Sequence, residues 1–368
     1  MEDKLYWLWF TLKNITPKRQ IDIYRIFGSV KAIYDTDDYD SVLNLPEPIK
    51  KELEDKSLDR AEQVIKRIEE LDGYIMTIED NDYPDTLSEI PVPPLVLYCR
   101  GQRINWQEAF RITVVGTRSY SSYGRRATEK IVRELTDYNT IIVTGMARGI
   151  DAIANCAALH EGCPTAAVLG CGVDVIYPPE YKSLYNAIIK NGVVISEFPP
   201  GTKPLGKNFP RRNRILAAMG NGVLVGQAPM RSGALITAAY AIDNGEPTYV
   251  IPADIFDKNF AGSNALITQG AKLVTCAEDI TEDFAYIAVK TKPEKKREKR
   301  KEEKKEVSLE GLSETEIKLV SLLSKKNSHI DELIRETGLA SAEVNATLVM
   351  LEISGTVKKL SGNIYCIA

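Results

Sequence analysis

Three arginines fall within four consecutive positions of the chain, in the segment 209–214, which reads FPRRNR. The guanidinium group is always charged, and its rigid fork of donors matches the oxygen atoms of a phosphate. A phenylalanine opens the segment, and the Pro- and Gly-containing stretch 196–202 lies just upstream. These residue types together indicate an anionic ligand, in particular a nucleic acid. The alternative is an amphipathic helix whose arginines face solvent or pair with carboxylates, and this segment alone does not distinguish the two.

Apolar runs that each end in a glycine indicate the elements that must position these arginines. Such runs lie at 111–116, 140–145, 165–170 and 221–226, with helical stretches between them. Alternation of β-branched runs with helices predicts a parallel sheet covered on both faces. The expected fold class is therefore α/β, with a Rossmann-like, doubly wound, mostly parallel sheet. Ligands of such sheets bind at the carboxyl ends of the strands, where helix N-termini attract anions.

Six motifs follow one another along the chain: VGTR at 115–118, TGMARGID at 144–151, LGCGVD at 169–174, SEFPPG at 196–201, FPRRNR at 209–214 and RSGALITA at 231–238. In this order they resemble the DprA family of bacterial DNA-processing proteins, also called Smf. The resemblance implies a single-stranded DNA-binding protein without enzymatic activity or cofactor. It further implies that the protein protects incoming DNA, loads the RecA recombinase during natural transformation, and forms a homodimer through its core.

The predicted mechanism is capture of single-stranded DNA at one edge of the sheet. Backbone amides of the glycine turns are expected to cradle phosphates. Arg118 follows the first strand end, and three lysines lie in loops expected at the same edge. The candidate DNA-binding residues are Gly116, Thr117, Arg118, Ser119, Lys182, Lys203, Lys207, Phe209, Arg211, Arg212, Asn213, Arg214, Ser232 and Gly233.

Two further expectations concern the surroundings of the arginines. Tyr120, Tyr123 or Phe209 are candidates for stacking against bases, a contact that tolerates any sequence. At least one arginine of the segment 209–214 is expected to support the fold by pairing with a buried acid, such as Glu197 or Asp174.

Composition divides the chain into four segments: a helical domain similar to SAM or helix-hairpin-helix modules at 1–70, a Rossmann-like DNA-binding core at 71–289, a charged linker at 290–306 and a winged-helix domain at 307–368. The first domain lacks the phosphate-binding glycines of a helix-hairpin-helix turn at 15–19, which favours a packing or interaction role. The third helix of the winged-helix domain carries two acids and no Lys or Arg, which favours a structural or partner-binding role over base reading.

Charge is distributed unevenly along the chain. The stretch Lys290–Glu306 holds ten basic and five acidic residues, a local charge of +5 that leaves −9 on the rest of a chain of net charge −4. Such a stretch is typical of a solvated linker, with a nucleic-acid-binding tail as the alternative. Because the remainder is acidic, the DNA site is expected to be a local basic cleft rather than a basic surface.

Several classes of function find no support in the sequence. The chain has two histidines, far apart, and no Ser/His/Asp or Cys/His set can be assembled. No G-x-G-x-x-G opens the first helix, so a nicotinamide cofactor is not expected. The six cysteines form no Cys-x-x-Cys pair and suit the thiols of a cytoplasmic protein rather than metal ligands or disulfides. No apolar stretch is long enough to predict a membrane span.

Two other functions remain as alternatives to the DNA-binding hypothesis. The first is a nucleotide or nucleoside-phosphate hydrolase of the lysine-decarboxylase-like group, which carries a Pro-Gly-Gly-x-Gly-Thr loop with a catalytic glutamate. The corresponding stretch here, 230–235, reads MRSGAL and lacks that motif. The second is a winged-helix transcription regulator, against which the acidic third helix argues. A comparison of duplex with single-strand binding separates the regulator from the single-strand binder.

Overall fold

A computed structural model describes residues 2–291, 313–324, 326–353, 356–360 and 363–367. The chain divides into two compact units, Met1–Pro293 and Glu294–Ala368. The predicted charged linker, 290–306, lies outside the described residues from position 292 onward.

In the described part of the first unit, nine strands form a single sheet: β1 Gly73–Thr77, β2 Val96–Gly101, β3 Phe110–Gly116, β4 Thr140–Thr144, β5 Thr165–Val168, β6 Val193–Ser196, β7 Gly222–Gln227, β8 Thr248–Val250 and β9 Lys272–Leu273. Their order across the sheet is β1-β2-β6-β5-β4-β3-β7-β8-β9. Along this order, every neighbouring pair of strands from β6 to β9 is parallel. The pairs β1–β2 and β2–β6 are antiparallel. The predicted mostly parallel sheet is therefore confirmed.

The helices of this sheet domain are α6 Asp85–Ser88, α7 Ser122–Leu135, α8 Ile150–His160, α9 Lys182–Asn191, α10 Asn208–Met219, α11 Gly233–Asp243, α12 Ala261–Thr268 and α13 Glu278–Thr281, which follow five N-terminal helices given below. Strand β3 shows why both faces are covered. Ile112 and Val114 pack in one cluster with α7 and α8, whereas the next residue, Val115, packs with α10 and α11 on the opposite face. Alternate side chains of a strand point to opposite faces, so an unbroken apolar run requires two helical layers.

The N-terminal helices are α1 Glu2–Thr11, α2 Pro17–Phe27, α3 Val30–Asp35, α4 Glu47–Glu54 and α5 Asp59–Glu70. Helix α2 begins at a proline and ends at Gly28, whose φ of 73° is the left-handed conformation that closes many helices. The apolar side chains of α1 pack in a cluster that also contains Tyr98 of β2 and Val194 of β6. The helical segment and the sheet thus share one hydrophobic core within the first unit.

Strand β3 lies between β4 and β7, and this position creates a crevice. From β3 the chain passes through α7 to β4, and it reaches β7 only after two further strands and α10. Helices on either side of β3 consequently cover opposite faces of the sheet, and the loops at the carboxyl ends of β3 and β7 diverge. Such a switch point is where open α/β sheets bind ligands.

The second unit contains α14 Glu314–Leu323, β10 Ser328–His329, α15 Ile330–Thr337, α16 Ser341–Ile353, β11 Val357–Leu360 and β12 Ile364–Ile367. Helix α14 begins with a capping box, in which the side chains of Ser313 and Glu316 each accept from the other residue's backbone N–H. Strands β11 and β12 form an antiparallel hairpin, and β10 adds a third strand to the sheet. The turn residues 361–362 lie outside the described residues.

None of the six cysteines, all of which lie in the described ranges, forms a disulfide. Within the described ranges, no helix has both the length and the apolar character needed to cross a membrane.

Candidate functional site

A crevice of about 600 Å³ opens at the carboxyl edge of the sheet, between the ends of β3 and β7. Its walls are the loop after β3, the start of α8, the first turn of α10 and the start of α11. The residues that shape it are Gly116, Thr117, Arg118, Ser119, Ala147, Asp151, Tyr177, Phe209, Arg212, Asn213, Arg231, Ser232 and Gly233. The sheet topology therefore brings together motifs that are more than a hundred residues apart in the chain.

Three helix N-termini converge on the crevice. Helices α8, α10 and α11 each follow a strand or loop at the carboxyl edge, so their first turns face the opening. The N-terminal turn of a helix carries unpaired N–H groups and a partial positive charge, which favours anions. At α11 the side chain of Ser232 accepts a hydrogen bond from the N–H of Ala234 at 3.3 Å and fixes the start of the helix. The backbone thus contributes a positive potential before any side chain is counted.

Two arginines reach the crevice without a partner. Arg118 and Arg231 are exposed, and neither makes an ion pair or a hydrogen bond with the described residues. Lys203 and Lys207 are also exposed, and they flank Pro204 and Gly206, which line the opening. These four cations are free to meet an external anion. By contrast, the exposed Arg148 is paired with Glu180 at 2.5 Å.

Arg212 lies at the floor of the crevice and has a different role. It is buried, and its guanidinium donates to the carbonyl of Gly145, directly after β4, and to that of Val168, the last residue of β5. A side chain at position 145 would collide with this guanidinium, because a Cβ there would lie 2.6 Å from Nη2. Burial lowers the pKa of Arg212 to about 10, so the group remains charged at neutral pH.

Asp151, at the start of α8, faces the same floor. Its carboxylate accepts hydrogen bonds from the N–H groups of Gly145 at 3.0 Å and Ala147 at 3.4 Å. Burial raises the pKa of this carboxyl to about 6, although Arg212 and the backbone donors act in the opposite direction. The crevice lining therefore combines three arginines with one acid that titrates close to neutrality.

The other two arginines of the segment 209–214 lie outside the crevice. Arg214 forms a bidentate ion pair with Glu197, both N···O distances being 2.8 Å, and donates from Nε to the carbonyl of Val92. Arg211 donates to the same carboxylate at 2.9 Å and is 44% exposed at its side chain. The expected support of the fold by a buried acid is therefore Glu197 with Arg214. Asp174, the other acid considered, pairs with Arg67 of α5.

Aromatic side chains occur on one wall of the crevice. The ring of Phe209 packs against Tyr177 with a centroid separation of 5.5 Å. Tyr120 is exposed beside the opening, in the loop after β3. Tyr123 lies farther away: its hydroxyl donates to the carbonyl of Pro252 at 2.7 Å and its ring packs against Phe260. Of the three stacking candidates, only Phe209 lines the crevice.

The predicted site residues thus divide into two groups. The crevice is lined by Gly116, Thr117, Arg118, Ser119, Phe209, Arg212, Asn213, Ser232 and Gly233, and it is not lined by Lys182, Lys203, Lys207, Arg211 and Arg214. Sequence reasoning left out Arg231, although its position immediately before the Ser-Gly turn of α11 was a usable signal. It also left out Tyr177, which has no motif of its own around it.

Neither histidine of the chain lies at the crevice. His160 is exposed at the far end of α8, and His329 caps α15 in the second unit, where its ring accepts from the N–H of Asp331. The described residues contain no group of three His, Cys, Asp or Glu side chains suited to a metal ion.

The ion pairs of Glu197 predict unequal effects of two neighbouring substitutions. Arg214→Ala leaves a carboxylate that is 4% exposed without its bidentate partner, and it should lower the free energy of unfolding by about 3–5 kcal/mol. Arg211→Ala removes a half-exposed partner and should cost about 1 kcal/mol or less. Urea unfolding followed by circular dichroism measures both, and equal small losses would contradict the structural role of Arg214.

Asp151 predicts a specific pH dependence of stability. Its pKa is raised in the folded state to about 6, against about 3.9 in an unfolded chain. The protonated form therefore favours folding, and this contribution is lost as pH rises through about 6. Asp151→Asn keeps an oxygen for the two N–H groups but does not titrate. The variant should gain stability relative to the parent between about pH 4 and about 7. Urea unfolding at several pH values tests this, and a constant difference would contradict it.

Comparison with protein families identifies both units of the chain. The sequence model of the family described as DNA recombination-mediator protein A matches residues 74–285. A second model, described as the DprA winged helix domain, matches residues 303–363. The first match spans the whole sheet domain, including all four walls of the crevice.

Individual relatives agree with the family match. The chain is 41% identical over 210 residues to the DNA processing protein DprA of Streptococcus pneumoniae, covering 57% of this chain and 74% of that protein. It is 33% identical over 327 residues to protein Smf of a Synechocystis strain, covering 82% of each.

Solved structures also resemble the fold. The crystal structure of the S. pneumoniae protein matches with a TM-score of 0.65 and 32% identity, covering 77% of this chain and 98% of that one. The DNA processing protein A of Helicobacter pylori, whose structural study concerns its binding of single-stranded DNA, matches with a TM-score of 0.53 and 27% identity over 58% of this chain and 97% of that one. Together with the order of motifs along the sheet edge, these matches show that the chain belongs to the DprA/Smf family of DNA recombination-mediator proteins.

Proposed function

We propose that this protein is a non-catalytic single-stranded DNA-binding protein that acts in recombination. The observation that carries the proposal is the crevice, in which three helix N-termini and two unpaired arginines face one aromatic wall. Family membership supports it, as does the single-stranded DNA-binding mode reported for the H. pylori protein.

Each part of the crevice has a proposed role. Phosphates are held by the backbone amides of Ser232 and Gly233 at the start of α11 and by the forks of Arg118 and Arg231. Gly116 and Thr117 shape the floor instead, because the N–H of Thr117 already donates to the carbonyl of Gln227 at 2.7 Å. Bases stack on the exposed side of Phe209, which Tyr177 holds in place. Stacking does not depend on base identity, so little sequence preference is expected.

The remaining predicted residues have supporting roles. Ser119 and Asn213 line the opening and supply hydrogen bonds, while Lys182, Lys203 and Lys207 raise the local positive potential. Arg212 and Arg214 position the first turn of α10, because their guanidinium groups are occupied within the protein. Arg211 keeps free donors and faces a neighbouring cleft. Because the body of the protein is acidic, binding depends on this local field and weakens steeply with salt.

The biological role that we propose rests on family membership. The protein protects incoming DNA and loads RecA recombinase during natural transformation, and it acts as a homodimer formed through the sheet domain. The description of the matched family as a recombination mediator supports the first part. We further propose a cytoplasmic location, which suits six cysteines that form no disulfide.

The proposed function predicts a preference for single strands. Fluorescence anisotropy with labelled oligothymidylate and with a duplex of the same length should show tighter binding of the single strand. The reason is that bases must be unstacked to reach Phe209, and a duplex keeps its bases paired inside. Equal affinities at moderate salt would contradict the proposal and favour a duplex-reading winged helix.

The exposed, unpaired side chain of Arg118 should contribute to the salt dependence of single-strand binding. Arg118→Ala removes one phosphate contact, so the slope of log affinity against log salt should fall by about 0.7. Stability should change little, because the side chain is exposed and unpartnered. Arg133→Ala is the matched control, since Arg133 is exposed in the last turn of α7, at the opposite end of that helix from the crevice. Equal effects of the two substitutions would show that the crevice is not the binding site.

A further inference from the structure

A second cleft lies beside the crevice, where the N-terminal helices meet the sheet. Its volume is about 140 Å³, and its polar lining includes Gln20, Arg60, Tyr98, Glu197, Arg211 and Arg214. Arg60 lies in the first turn of α5, and Gln20 lies in α2. The cleft is therefore built jointly from the helical segment and the sheet domain within the first unit.

The charge of this cleft is positive. Three arginines face one carboxylate, and that carboxylate is already bonded by Arg214 through both oxygens and by Arg211 through one. Arg60 is exposed and uses one of its donors on the carbonyl of Leu12 at 3.0 Å. Arg211 uses one donor on Glu197 and packs over the ring of Phe198 at 5.1 Å. Each of the two exposed guanidinium groups consequently has donors left for an external anion.

The hydroxyl of Tyr98 is an independent sign of a ligand at this cleft. Tyr98 is 2% exposed, yet its hydroxyl makes no hydrogen bond with the described residues. Tyr98 lines the cleft, and its hydroxyl oxygen is not fully enclosed by the protein. Burial raises the pKa of this hydroxyl and Arg60 lowers it, and the group is a protonated donor at neutral pH. The protein leaves this donor without a partner at the cleft, and an anion in the cleft would accept its hydrogen bond.

The first turn of α10 separates this cleft from the crevice. Phe209 and Arg212 line the crevice, whereas Arg211 and Arg214 line the cleft. Residues three apart lie on one face of a helix, so the two pairs occupy different faces of the same turn. A helix is about 10 Å across, which a DNA strand spans within a few nucleotides.

We propose that this cleft is a second phosphate-binding subsite for the strand that occupies the crevice. A backbone phosphate lies between the guanidinium groups of Arg60 and Arg211 and accepts a hydrogen bond from the hydroxyl of Tyr98. The proposal rests on the proposed function, and it gives the N-terminal helices a direct part in DNA binding through α5.

The test compares Arg60→Gln with Arg25→Gln in the full chain. Arg25 is exposed on α2, does not line the cleft and has no ion pair or hydrogen bond with the described residues, so it matches the change in charge. Anisotropy is measured with oligothymidylates from about 4 to about 16 nucleotides over a range of salt. For the longer oligonucleotides, Arg60→Gln should lower affinity about fivefold at low salt and reduce the salt slope by about 0.7. For the shortest ones, held by the crevice alone, it should have no effect.

Unchanged binding of long oligonucleotides by Arg60→Gln, or an equal loss for short and long ones, would overturn the second subsite. An effect of the same size from Arg25→Gln would show that the loss reflects the net charge of the protein, and it would also overturn the second subsite. Tyr98→Phe, which removes only the hydroxyl, should lower the affinity for long oligonucleotides and leave that for short ones unchanged. If the parent protein binds no single strand at any length, the proposed function itself fails, a result distinct from all of these.

Discussion

Two buried guanidinium groups hold the first turn of α10 against the carboxyl edge of the sheet. Arg212 donates to carbonyls at the ends of β4 and β5, and Arg214 donates to Glu197 after β6 and to the carbonyl of Val92. One turn of helix is thereby tied to three neighbouring strands. Both the crevice and the cleft are defined by the position of this turn. Removal of a buried charge partner is costly because the remaining charge stays out of water, so the turn has little freedom to move.

The placement of acids explains how an acidic protein can present an anion site. Glu197 is enclosed by two arginines, and Asp151 is buried under the crevice with a raised pKa. Neither acid projects freely toward a ligand. The unpaired cations, Arg118 and Arg231, are exposed at the rim, where backbone N–H groups add to their field. The local potential is therefore positive although the net charge of the chain is −4.

The N-terminal helices are part of the same folding unit as the sheet. Tyr98 of β2 packs in the cluster that buries Trp7 and Leu8 of α1, and Arg67 of α5 pairs with Asp174 in the loop after β5. These contacts fix α5 next to the sheet, and with it Arg60. A helical module attached by a free linker would not hold an arginine in register with α10.

The sequence by itself determined the fold class and the family. Apolar runs ending in glycine predict buried parallel strands because a two-sided core leaves no polar face, and the order of six motifs indicates the family. The tertiary structure decided the state of each arginine. Adjacent positions on a helix point about 100° apart, so Arg211, Arg212 and Arg214 enter different surroundings that the letters RRNR do not reveal. Arg231 and Arg60 became candidates only when chain topology placed them beside α10, because side-chain exposure and pairing depend on residues distant in sequence.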